Sequence, residues 1–195
     1  MKCKVDGSCD YTDIRMENNI AEIMTYLGED ITREGLVETP KRVRKALLEV
    51  CAGYTMDPKE VFKTFDSNGY DQIVLLKNVH FFSMCEHHMF PFYGTASIAY
   101  IPNKRVIGIS KLARLLEIYS KRLQIQERLC EQITSDLEKY LQPKGSACVI
   151  KATHMCMNMR GIKTRDAEMV TSSLKGVFLE EPSCKAELFN MLRGV

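Results

Sequence analysis

Three of the four histidines lie within three residues of a cysteine, in two clusters: Cys85-Glu86-His87-His88 and His154-Met155-Cys156. Thiolate sulfur and imidazole nitrogen are the ligands that zinc takes most readily. Cys85 and His88 sit three apart at the exit of an apolar run, so one turn can present both to a single ion. The segment around His154 reads as a strand, where residues two apart share a face, roughly 6.6 Å apart along the chain. On that reading His154 and Cys156 address one spot, while Thr153, Met155 and Met157 face the other way. Cys85, His88 and Cys156 form a Cys₂His set, the type that leaves a fourth zinc position open for water. His87 and His154 are each a candidate fourth ligand of a closed site, or a free acid/base beside an open one. A lone strand cysteine is more often a small core residue, so the metal reading draws on both clusters together.

A second constellation is polar: Ser110, Lys111 and Arg114, then Lys121-Arg122, then Gln126-Glu127-Arg128. Ser110 reads as the cap of an amphipathic helix, with Lys111 and Arg114 in its opening turns. Helix N-termini offer free N–H groups and a positive dipole end to phosphate. The competing reading is a solvated helix face. Arg160 follows Cys156 by four residues, and Arg42 follows Pro40 by two; each is an anion ligand or a surface residue.

The elements that carry these residues follow from hydrophobic spacing. Residues 1–11 read as a frayed arm. Ile14, Met16, Ile20, Ile23, Met24 and Leu27 recur at three and four, which predicts a helix over 12–27. Thr39-Pro40 reads as N-cap and first helical residue, and Asp57-Pro58 repeats that signal. Strands are expected over 72–82, 93–101, 147–157 and 168–178. Two helices are expected from Ser110 and from Ile125, and a short one from Ser183. This order predicts an α+β fold, an antiparallel β-sheet with a helical pair packed on it, preceded by an N-terminal helical segment. The division is 1–66 for the helical segment and 67–195 for the α+β catalytic domain, together one functional unit.

The chain has 195 residues with 27 Lys+Arg and 25 Asp+Glu, a net charge of +2. That balance argues against general nucleic-acid binding. No run of 18 apolar residues is present to span a membrane, and the start lacks a signal-like apolar stretch. A cytoplasmic location is expected, where thiols stay reduced. The eight cysteines are too sparse for a disulfide scaffold.

CEHH at 85–88, PNKRVIGISKLARL at 102–115, RLQIQERL at 122–129 and THMCMNMRG at 153–161 resemble GTP cyclohydrolase I. ETPKRV at 38–43 and TSSLKGVF ending at Phe178 fit as well, so the resemblance spans roughly residues 13 to 194 in order. It implies a zinc enzyme of the tunnelling fold that converts GTP and water to formate and 7,8-dihydroneopterin triphosphate, the first step of folate or pterin synthesis. By position it makes Cys85, His88 and Cys156 the zinc ligands and His87 and His154 acid/base groups. Glu127, with Gln126, would recognise guanine, and Ser110 would touch the ribose. Arg42, Lys111, Arg114 and Arg160 would hold the triphosphate. It also implies a homodecamer with active sites at subunit interfaces. Lys175 departs from the small residue common at its position.

The implied chemistry suits those residue types. Zinc lowers the pKa of bound water to about 7, which provides a nucleophile for guanine C8. An imidazole can protonate N7. Ring opening, an Amadori rearrangement and ring closure follow as proton transfers. A rival pterin enzyme of the same fold, with three histidine ligands, would have to draw on His80 and leave both cysteines idle.

Overall fold

A computed structural model of the chain describes residues 11–164 and 166–193. The expected arm over residues 1–11 lies outside the described residues, apart from Tyr11. Helices α1 (Tyr11–Tyr26) and α2 (Thr39–Val50) pack on each other and open the chain. Arg44 of α2, only 8% exposed, joins them through ion pairs to Asp13 at 3.0 Å and Glu17 at 2.7 Å. Thr39 is not the cap: Glu38 precedes the helix, and Thr39 is the first helical residue, its hydroxyl donating back to the Gly35 carbonyl at 3.3 Å. Asp57 does cap the short turn Pro58–Val61, accepting from the Lys59 N–H.

The remaining elements in chain order are β1 (Thr64–Asp66), β2 (Val74–Cys85), β3 (Pro91–Ile101), β4 (Arg105–Ile107), α3 (Ile109–Ser120), β5 (Leu123–Gln124), α4 (Gln126–Tyr140), β6 (Gly145–His154), α5 (Met155–Asn158), β7 (Met169–Gly176), α6 (Val177–Glu180) and α7 (Pro182–Arg193). The main sheet runs β5-β2-β3-β6-β7. Its pairings are antiparallel except β5 with β2, a two-residue parallel contact that sets Met84 against Leu123 and Cys85 against Gln124. β1 and β4 form a separate pair. They are too short to show a period in sequence, and β1 ends the 1–66 segment while pairing across to 105–107.

Helices α3 and α4 lie side by side on one face of the sheet, α3 against β2 and α4 against β6 and β7. Alternate residues Ala96, Ile98 and Tyr100 of β3, with Cys148, Ile150 and Ala152 of β6, face Leu112, Leu115, Leu116, Leu129, Ile133 and Leu137. Each of those six helical side chains is 0–1% exposed, which stabilises the fold by roughly 1.5–3 kcal/mol apiece. The intervening residues Ala99, Ile101 and Ala147 meet Phe178 and Leu188 on the opposite face. Both sheet faces are therefore covered at this end, which is why β3 reads as a continuous apolar run.

Two expectations need correcting where the site is built. Ser110 does not cap α3; Gly108 occupies that place, its carbonyl taking the Lys111 N–H at 2.8 Å, and Ser110 is the second helical residue. The strand expected over 147–157 ends at His154, and Met155–Asn158 coil into a helical turn. The period-two argument that placed His154 and Cys156 on one strand face therefore fails, because the backbone leaves the sheet between them. Likewise β7 stops at Gly176, whose φ of +57° turns the chain, and Phe178 belongs to α6.

A candidate metal centre at the end of the sheet

Cys85 is the last residue of β2 and is buried. Its N–H donates to the Phe90 carbonyl and its carbonyl accepts from Met89, both at 2.8 Å. Met89 closes this turn with φ +55°. The tight turn lifts His87 and His88 beside the Cys85 sulfur, with Nδ1 atoms at 4.0 and 3.9 Å. Cys156, in the turn after β6, brings its sulfur to 4.0 Å from that of Cys85.

Cys85, His88 and Cys156 form a group whose ligand atoms all lie within 4.8 Å of one another. Two thiolates at roughly 2.3 Å from a tetrahedral zinc stand about 3.8 Å apart, so the cage has the size of that ion. The sulfurs are too far apart for a disulfide, and the six described cysteines are free thiols. Burial and the neighbouring Cys85 push the Cys156 thiol up, while Arg160 opposes them. His87, His154 and His80 lie outside the mutual group.

His154 is half-buried, its ring parallel to that of Phe92, 2° apart in plane and 4.6 Å between centroids. Burial lowers its pKa from the usual imidazole value, with the Glu127 charge acting the other way. Its Nε2 lies 2.9 Å from Oε1 of Gln126. Gln126 and Glu127 open α4 and, one residue apart, point about 100° from each other. Glu127 is exposed, whereas Gln126 is 1% exposed and its amide nitrogen donates to the Ile150 and Met169 carbonyls. The two side chains therefore stand in different surroundings, Glu127 at the surface and Gln126 in the core.

Ser110 and Arg114 are exposed and Lys111 half-buried on the opening turns of α3; Arg42 on α2 and Arg160 after α5 are exposed. Among the described residues, no ion pair engages Arg42, Lys111, Arg114 or Arg160. Sequence reasoning did not single out Glu86 as a group of its own. Arg128 binds its carboxylate and also donates to Gln124 Oε1 at 3.0 Å, and this contact holds the Glu86 carboxyl below the usual range. The four-residue spacing of Gln124 and Arg128 was the available signal.

Residues 16–193 match the family model described as GTP cyclohydrolase I. A protein named GTP cyclohydrolase 1 from Wolinella succinogenes is 49% identical over 181 residues, 92% of this chain and 97% of that one. Proteins of the same name from Leptospira biflexa and Bacteroides fragilis are each 45% identical, covering 91% of this chain and 98% and 92% of theirs.

Proposed function

The chain belongs to the GTP cyclohydrolase I family, and we propose that it converts GTP and water to formate and 7,8-dihydroneopterin triphosphate, with zinc held by Cys85, His88 and Cys156. The observation that carries this reading is the convergence of two thiols and an imidazole, those of Cys85, Cys156 and His88, whose ligand atoms all lie within 4.8 Å of one another.

Zinc, when bound, supplies the Lewis acidity that makes water a nucleophile at neutral pH. The chain's own side chains supply the rest. Glu127, an anion in the first turn of α4 where the helix dipole favours it, accepts the N1–H and N2–H of guanine. Adenine presents no such pair and would leave the carboxylate unmatched. Arg42, Lys111, Arg114 and Arg160, which make no ion pair among the described residues, hold the triphosphate. That remote binding positions the base. Ser110 contacts the ribose. His154 and His87 move the protons, with N7 as the first acceptor as C8 becomes tetrahedral.

The working unit in this reading is a homodecamer with active sites shared between subunits. β7 is the last strand of its sheet, and an edge of eight residues is a ready template for another strand. No helix among the described residues is long and apolar enough to cross a membrane.

The deciding experiment incubates zinc-loaded protein with GTP and follows formate release together with the new near-ultraviolet absorbance of a dihydropterin. Both should appear in step. Their absence from correctly assembled, zinc-loaded protein would overturn the reading.

A further inference from the structure

Gln126 carries a side-chain amide in an almost fully buried place, 1% exposed, at the start of α4. A carboxamide has two faces, an acceptor oxygen and a nitrogen with two N–H donors. Here the nitrogen meets two main-chain carbonyls, Ile150 at 3.1 Å and Met169 at 2.9 Å. Those carbonyls belong to neighbouring strands, β6 and β7. Flipping the amide would aim its oxygen at both of them, three acceptors with no hydrogen between them, inside the core. A buried donor or acceptor left without a partner loses its water contacts with nothing in return. The amide therefore has one orientation.

That orientation decides the state of the next group. Oε1 of Gln126 is an acceptor only, and it lies 2.9 Å from Nε2 of His154. The hydrogen between them must come from the imidazole, so Nε2 carries it. In the neutral ring Nδ1 is then left with a lone pair. The ring plane is set as well, since His154 lies flat on Phe92, which is 0% exposed. Two constraints, one on the ring's edge and one on its face, leave the side chain a single pose.

We propose that Gln126 is a positioning residue that locks His154 as the Nε2–H tautomer and so makes Nδ1 the nitrogen that handles protons. The assignment of proton transfer to His154 rests on the function proposed above; the tautomer lock does not. In this role Gln126 acts through His154, to which its Oε1 is bound. Hydrogen-bond partners that fix the tautomer of a metal's histidine ligand are worth about 10–100-fold in activity, and the same range is expected for a partner that fixes an acid/base histidine.

The test uses full-length, zinc-loaded protein with ¹⁵N-labelled histidine, in the solid state so that assembly size does not matter. His154→Ala identifies the His154 signals by their loss. Wild-type protein without GTP should show a protonated Nε2 and an unprotonated Nδ1. Gln126→Met, which keeps the volume and removes the amide, should shift that population toward Nδ1–H. Its kcat should fall about 10–100-fold with KM for GTP and zinc content unchanged. Placed in the His154→Ala background, Gln126→Met should change kcat no further. An Nδ1–H signal in wild type overturns the proposal and needs no variant at Gln126 to be seen. A rise in KM with kcat preserved also overturns it, since that marks Gln126 as a guanine contact. Failure of the cyclohydrolase reading is separately visible as zinc-loaded wild type that forms no pterin, because the tautomer is read without substrate.

Discussion

Cys85 and Cys156, 71 residues apart in the chain, hold their sulfur atoms 4.0 Å from each other. With His88 completing the set, purified protein should contain about one zinc per chain. Cys85→Ala should lose zinc and activity together, as should Cys156→Ala. Unchanged zinc in Cys156→Ala would point to a three-histidine site instead. Stripping the metal without reductant should allow the two thiols to oxidise to a Cys85–Cys156 disulfide. Intact mass with and without reductant reads that change.

Glu127→Gln should lower kcat/KM for GTP about 10–150-fold. The amide keeps one acceptor but aims a donor at a guanine donor, and loss of a charged acceptor costs about 1.5–3 kcal/mol. Steady-state kinetics with GTP checks this; wild-type kcat/KM would remove Glu127 from the guanine site.

His154→Ala and His87→Ala should retain zinc and lose kcat by about 10²–10⁴-fold, the usual contribution of a general acid/base. Metal content and product profile, measured on one preparation, separate this from a ligand role. A variant that opens the imidazole ring but forms no pterin would place its histidine after the C8 step. Parallel loss of metal and activity would make that residue a ligand or its support.

Light scattering on active protein should give a mass many times the 22.3 kDa of one chain. A single-chain mass at micromolar concentration with full activity would refute the shared-site assembly.

Lys175 ties β7 to α4 through Glu131 at 2.6 Å and Ser135 at 3.0 Å. The contact holds the Glu131 carboxyl below its ordinary 4.5. A carboxylate lowered by folding stabilises the native state above its unfolded pKa, and that gain disappears as pH falls through the folded value. Glu131 is largely exposed, so Lys175→Ala should cost only about 0.2–1 kcal/mol at pH 7. Thermal melts of both proteins should converge in acid.

The ligand cluster and the main helices were legible because their signals are local. Leu112, Leu115 and Leu116 repeat at helical spacing, and Cys-x-x-His needs only a turn. His154-Met155-Cys156-Met157 misled because it continues an apolar strand while the backbone has already left the sheet, and nothing in those residue types marks the departure. Thr39 and Ser110 are good caps by type, yet Glu38 and Gly108 hold those places; boundaries shift by a residue or two at little cost. The buried contacts of Gln126 were hidden because its partners, Ile150 and Met169, are main-chain carbonyls of distant strands. A sequence lists side chains and is silent on where such carbonyls will stand.

The short parallel contact between β5 and β2 reaches beyond local geometry. It ties Cys85 to Gln124 by main-chain atoms, with the Glu86 N–H donating to the Gln124 carbonyl at 3.0 Å. Glu127 follows only three residues later. The backbones that carry Cys85 and Glu127 are thus joined by main-chain hydrogen bonds, a tie that no side chain supplies. Exchange of the side chains around it therefore leaves the spacing of the two strands in place.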